Sequence, residues 1–317
     1  MYGPDKNTEH YRRIERELFH ITEAYVKALR RVIKAAQGIQ VDPNKPFKFS
    51  DHPRLDKEVR AALNDMASDI RARVINSIEK EWNQANVVND AMVERVFKFK
   101  KLGTVPEVYM DRNFKARDAF IARKTGAEGL NLSQRVWKYT SQFKQELEMA
   151  LDLGLADGKS AQTLSREIRS YLNEPEKLFR RVRDKHGVLQ LSKNAKAYHP
   201  GQGVYRSSFK NAHRLARTEI NMAYRTADHV RWQKLPFVVG IEIKLSDRPR
   251  EKDICDHLIG KYPKDFKFVG WHPNCRCYEI AVLLTNDEFD KTQQQLLDGQ
   301  TRDFSSRRTV INVPDGF

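Results

Sequence analysis

The chain carries 3 cysteines among 317 residues, and all of them fall between residues 255 and 277. Cys275 and Cys277 stand at Cys-x-Cys spacing, with His272 three residues before the first of them. Cys255 and His257 belong to the preceding loop. Thiolate sulfur and imidazole nitrogen are the donors that a tetrahedral structural zinc takes. Cys275 and Cys277 are too close along the chain for an unstrained disulfide, but a turn between them lets both face one ion. The expected ligand set is therefore Cys255, His272, Cys275 and Cys277 around a structural Zn2+, with His257 as the alternative imidazole. The Cys-x-Cys spacing is tighter than that of the usual zinc knuckle. Two other readings stand beside the metal. The thiols can pack as small hydrophobes in a β-hairpin, or form a redox-sensitive disulfide, which a reducing compartment disfavours.

A second polar group lies on the helix expected over residues 207–235. Ala212, Leu215, Ala216, Glu219, Met222, Ala223 and Thr226 share one face of it, and the small residues permit close helix approach. Arg217 and Glu219 are two apart and do not face each other on a helix, so each must pair elsewhere. Glu219 sits among apolar positions, where a carboxylate needs a partner. A structural ion pair is the expected role rather than a catalytic acid.

Taken in order, Ala216-Arg217-Thr218-Glu219, then Cys255-Asp256-His257-Leu258-Ile259-Gly260, then His272-Pro273-Asn274-Cys275-Arg276-Cys277 resembles the signature of the phage head morphogenesis family, whose namesake is the minor head protein F of phage Mu. The resemblance covers roughly residues 140–284, with its specific motifs inside about 70 residues. Family members often carry an earlier cysteine where this chain has Lys252. The departure rules out a four-cysteine site and makes a histidine ligand necessary if zinc binds. The resemblance implies a non-enzymatic minor capsid protein of the virion. Its partners would be the phage portal protein, other head proteins and packaged double-stranded DNA. It would act in head assembly and in DNA packaging or delivery, passing through the host cytoplasm during assembly.

These residues need elements to position them. Residues 8–37 read as a helix capped by Thr8, with Ile14, Leu18, Ile21, Tyr25, Leu29 and Ile33 in one stripe and Gly38 at its end. Residues 42–46 are a turn or linker. A second long helix is expected over residues 54–86, striped by Val59, Leu63, Met66, Ile70, Val74, Ile78 and Trp82. Two such helices suit an antiparallel hairpin or bundle, and stripes this long also suit a homo-oligomeric coiled coil. Residues 87–114 are mixed. There Phe97-Lys98-Phe99-Lys100-Lys101 alternates aromatic and basic side chains, which fits base stacking or an ordinary strand or helix end. Helices are expected over residues 114–124, from Ser133 (Val136, Tyr139, Phe143, Leu147, Ala150 and Leu151 buried) and from Ser160 to about residue 172. Residues 173–205 read as a polar, basic excursion suited to a DNA or portal contact. Strands are expected at residues 238–245, 266–271 and 278–284, with a turn at 247–250. A short helix from residue 286 and an extended arm at 310–317 complete the chain.

The fold class is α+β, mainly α: long N-terminal helices in a hairpin or bundle, then a small helix-plus-antiparallel-sheet domain with a Cys/His cross-brace. The segments in sequence order are an N-terminal helical region (1–131), a helical connector with the basic loop (132–206), the Mu F-like core (207–285) and a polar tail (286–317).

Hydrophobic residues make up 40% of the chain, enough for a core, and mean hydropathy is -0.70. No apolar run approaches the length of a membrane span, and the N-terminus lacks the apolar centre of a signal peptide. A net charge of +15 attracts polyanions, whether DNA, RNA, an acidic protein or a membrane surface. No Gly-rich phosphate loop, Gly-x-Ser-x-Gly elbow or His-Glu-x-x-His helix occurs. An open zinc site with Glu279 or Asp256 as base gives the alternative function, a zinc-dependent nucleic-acid-cleaving enzyme or toxin-like protein. A non-enzymatic host DNA- or RNA-binding protein is the third.

Overall fold

A computed structural model describes residues 4–39, 45, 47–156, 160–173, 180–183, 185–191, 198, 204–246, 252–272 and 274–299. Expectations for the turn at 247–250, for residues 42–44 and 46 of the linker, for most of the basic stretch around 192–203 and for the arm at 310–317 fall outside these residues. The helices are α1 (Pro4–Ala35), α2 (Pro53–Phe99), α3 (Phe114–Ala122), α4 (Leu132–Ala156), α5 (Ala161–Asn173), α6 (Ser208–Gln233), α7 (Ile254–His257) and α8 (Asn286–Leu297). The strands are β1 (Arg180–Arg183), β2 (Leu189–Leu191), β3 (Val238–Lys244), β4 (Gly260–Pro263) and β5 (Tyr278–Leu283). Long helices are thus followed by a small antiparallel sheet, which is the expected class of fold.

Contacts divide the chain into two compact units, each assembled from separate stretches. One comprises Met1–Arg16, Ile75–Ala122 and Arg217–Phe317; the other comprises Glu17–Val74 and Arg123–Ala216. The units therefore interleave the segments set out in sequence order.

Among its described residues the second unit is helical apart from an isolated bridge between Thr125 and Leu130 and the short β1–β2 pair, whose register slips between Arg180 and Val182. The α1 stripe of Leu18, Ile21, Tyr25 and Leu29 and the α2 stripe of Val59, Leu63, Met66 and Ile70 are buried, as their spacing requires. Tyr25 packs its ring 4.8 Å from Phe143 of α4 and 5.5 Å from Phe209 of α6. Arg31 on α1 pairs with Asp65 and Glu58 on α2. Ser160 caps α5 by accepting from Thr163 N at 3.2 Å, and Ser207 does the same for α6 through Lys210 N. Glu146 of α4 is buried and accepts from both the backbone N (2.7 Å) and the hydroxyl (2.6 Å) of Ser208. Loss of water pushes its carboxyl up to about 8.

The first unit holds the sheet. Its order is β4-β3-β5, all antiparallel, with Ile241 opposite Tyr262 on one side and Ala281 on the other. Phe97, Tyr109, Phe237, Val238, Ile241, Phe289 and Leu296 belong to its core. The strand expected at 266–271 is not formed, and Gly260–Pro263 pairs with β3 instead. The apolar character of this stretch serves an aromatic cluster instead: Phe266 stacks on Tyr262, and Trp271 packs against Tyr262, Phe266 and Phe268. Helix α2 runs to Phe99, well past the expected end near Asn86. Asn86 and Asn89 are poor helix formers. Here each turns its amide back to the carbonyl four residues earlier, on Trp82 and Ala85. Asn89 also donates to Asp228 (2.7 Å) and accepts from Trp232 Nε1 (2.6 Å), so tertiary bonds override propensity.

Glu146→Gln should change how stability varies with pH. The folded carboxyl keeps its proton up to about 8, whereas an unfolded glutamate loses it near 4.3. The native carboxyl therefore contributes fully below the unfolded value, and stability falls as pH rises through this window. The variant should lose less melting temperature than the parent between pH 5 and pH 8. Parallel losses would show that Glu146 is ionised in the folded chain.

Candidate metal centre

Three short devices bring the Cys/His residues together. Asp253 caps α7 by accepting from Cys255 N at 2.8 Å, and Asp256 returns the favour to Asp253 N at 2.8 Å. This box fixes Cys255 in the first turn of a helix only 4 residues long. Asn274 has φ of 67°, a left-handed conformation that asparagine tolerates better than most residues. Cys275 N donates to His272 O at 3.0 Å and closes the turn. Gly270 has φ of 102°, and a Cβ there would lie 2.5 Å from Arg225 Nη1 and 3.2 Å from Cys275 Cβ.

Cys255 Sγ lies 3.1 Å from His272 Nε2 and 3.8 Å from Cys275 Sγ. The ligand atoms of these three residues all lie within 4.8 Å of one another, so the group could hold a metal ion. Cys255, Cys275 and Cys277 are buried and none is in a disulfide. Cys277 falls outside the three-residue group, although its thiol hydrogen-bonds to Cys275. His257, the alternative imidazole, does not join the group either. Asp253 Oδ2 stands 3.4 Å from His272 Nε2, the same nitrogen that faces Cys255 Sγ, so its carboxylate lies at the edge of the Cys/His group.

The three thiols differ in charge. The hydrogen bond from the Cys277 thiol lowers Cys275 to about 4 against the cost of burial, aided by the positive Arg225 and by the N–H groups of Trp271 and Cys277. Burial and the negative charge on Cys275 push Cys255 up to about 12. Cys277 is also pushed up, by its hydrogen bond to Cys275 and by burial. Of the three, Cys275 is the one whose surroundings favour the thiolate.

The turn is held by two polar ladders. On α6, Arg217, Asn221 and Arg225 recur at four-residue spacing and so line one side of the helix. Arg217 Nη1 donates to Asn274 Oδ1 at 2.9 Å and Arg217 Nη2 to Glu15 at 3.0 Å. Asn221 Nδ2 and Arg225 Nη2 each donate to Cys275 O at 3.2 Å, and Arg225 Nη2 also reaches Cys277 O at 2.6 Å. On α1, Asn7, Tyr11 and Glu15 repeat the same spacing. Tyr11 OH donates to Cys275 O at 2.7 Å, Asn7 Nδ2 to Arg276 O at 3.4 Å, and Glu15 pairs with Arg276 at 3.6 Å. One carbonyl, Cys275 O, therefore accepts three donors. Behind the ladder, His10 bridges Asn221 and Glu81.

Arg217 was expected to pair away from Glu219, and its partners are Glu15 and Asn274. Glu219 is buried on the same helix and is not part of the Cys/His group. Of the two carboxylates considered as bases, Asp256 is engaged in the capping box and Glu279 is fully buried. Burial, with Asp228 nearby, holds the Glu279 carboxyl well above the usual range. The sequence reading missed Asn7, Tyr11, Asn221 and Arg225. Their signal was the recurrence of polar residues every four positions on helices whose apolar stripes drew attention instead.

No family model, curated protein or solved structure matches the chain. Among the described residues, no helix is long and apolar enough to cross a membrane.

Gly270→Ala should destabilise this centre. Its φ of 102° disfavours any side chain, and the new methyl meets Arg225 and Cys275. A cost of about 1–3 kcal/mol is expected, read as a lower melting temperature. A melt equal to that of the parent would show that Arg225 can yield without loosening the turn.

Proposed function

We propose that this chain is a minor head protein of a phage, non-enzymatic, associated with the portal vertex and acting in head assembly and in DNA packaging or delivery. The observation that carries the reading is the convergence of three separated motifs. Arg217 of Ala-Arg-Thr-Glu bonds Asn274 of the His-Pro-Asn-Cys-Arg-Cys stretch, and Cys255 of the middle motif meets His272 and Cys275. Residues that carried the resemblance in sequence order are thus partners in space. The basic balance of the chain suits a place beside packaged double-stranded DNA. On this reading the chain resides in the phage head, passes through the host cytoplasm during assembly, and has the portal and other head proteins as partners.

The metal fitting the centre best is Zn2+ in a structural role. Two thiolates at ~2.3 Å from a tetrahedral zinc stand about 3.8 Å apart, which is the separation of Cys255 and Cys275 Sγ. Cys255, His272 and Cys275 would hold the ion, and Cys277 is the nearest further thiol. Bound zinc would brace α7 against the turn. A non-catalytic role is supported by the donor set, which is rich in sulfur, and by the engagement or burial of Asp256 and Glu279.

Quantitative mass spectrometry of particles from the source phage or induced prophage tests the head assignment. A few copies in DNA-filled heads would support it, and absence from both filled and immature heads would overturn it. The metal is tested separately. The Cys255 thiol, pushed up to about 12 by burial and by Cys275, must lose a proton when zinc binds. Zinc affinity should therefore rise with pH, about tenfold per unit for each proton displaced. Calorimetric titration in buffers of different ionisation heat should detect that proton. Cys255→Ser and a chelator should each lower the melting temperature, and a melt indifferent to both would remove the metal.

A further inference from the structure

We propose that the C-terminal end of α2 is a binding site for single-stranded nucleic acid, in which Arg95, Lys98 and Lys101 hold phosphates and Phe99 stacks on a base. The site is distant in kind from the Cys/His centre and does not depend on the head-protein reading.

The helix ends here in a defined way. Leu102 N donates to Phe97 O at 3.0 Å and Lys101 N to Lys98 O at 3.2 Å. Phe97 and Leu102 are buried beneath this paired closure. That pattern needs a left-handed residue at the second-last place, where glycine is usual. The chain has Lys101 there, with φ of 50°. A side chain in this conformation gives up stability, and such strain concentrates at functional sites.

The residues around it point outward. Phe99 is 75% exposed. Arg95, Lys98 and Lys101 are exposed, and among the described residues none of the three has a hydrogen bond or ion pair to a carboxylate. Lys100 is different: it turns to Asn286 at 2.8 Å and lies 4.8 Å from the ring of Phe289. Cations at a helix C-terminus complement the helix dipole. The dipole explains neither the exposed phenyl ring nor the lysine in a glycine place. Guanidinium and ammonium groups bind phosphate, and an exposed ring beside them offers a face to an unpaired base. In a duplex both faces of each interior base are already stacked, which favours a single strand.

The test uses the full chain and a short labelled oligodeoxythymidylate, with binding followed by fluorescence anisotropy across a salt series. Binding should weaken with salt, and Lys98→Ala and Lys101→Gly should each flatten the logarithmic slope by about 0.7. Phe99→Ala should weaken binding roughly 5- to 100-fold without changing the melting temperature. Lys101→Gly should melt at or above the parent temperature while binding less tightly, a combination that a purely structural lysine would not give. The proposal is overturned if the parent does not bind at low salt. It is also overturned if Phe99→Ala binds as the parent does, or if a duplex of equal length binds as tightly as the single strand.

Discussion

The first unit depends on a single backbone oxygen. Cys275 O takes hydrogen bonds from Tyr11 of α1 and from Asn221 and Arg225 of α6. A buried carbonyl needs at least one partner, and three donors on one acceptor define its position more tightly than satisfaction alone requires. Everything about the thiols follows from that. The turn carrying Cys275 cannot rotate without abandoning bonds to both helices, so Cys275 Sγ stays opposite Cys255 Sγ. Arg225 adds a second constraint, since its guanidinium also bonds Cys277 O and lies 4.5 Å over the Phe268 ring. The same cation that fixes the loop favours the thiolate at Cys275.

The division of labour between side chains and backbone is notable for a Cys/His cluster. The polar helix residues bind the loop's carbonyls and the Asn274 amide, leaving sulfur and imidazole free of those duties. Asp253 works from the other loop, with one oxygen capping α7 at Cys255 N and the other against His272 Nε2 at the edge of the cluster. Ligand geometry is thus set by groups that need no metal to form their own bonds. This is the arrangement expected when outer partners orient inner donors.

Much of the framework was legible in the sequence because it rests on period. The stripes of α1 and α2 and the starts of α5 near Ser160 and of α6 near Ser207 need only local chemistry, and they fall where the sequence puts them. The cysteine cluster was legible because cysteine is scarce and its positions are few. What could not be read was anything decided by distant partners. Asn86 and Asn89 look like a helix end until Asp228 and Trp232 are brought beside Asn89. The stretch 266–271 looks like a strand until Tyr262 is brought against Phe266 and Trp271. The ladders on α1 and α6 escaped for the same reason. Asn7, Tyr11 and Asn221 are unremarkable polar residues until a carbonyl from another stretch faces them.

The bond from Tyr11 to Cys275 O spans 264 residues, and this sets an order on folding. At roughly 5–20 residues per second of synthesis, the α1 ladder would emerge about 13–50 s before the turn it grips exists. During that interval Asn7, Tyr11 and Glu15 can be satisfied only by water or by temporary neighbours. The Cys/His centre is therefore a late event in the life of each chain, a clasp that closes after the helices are made rather than a seed around which they gather.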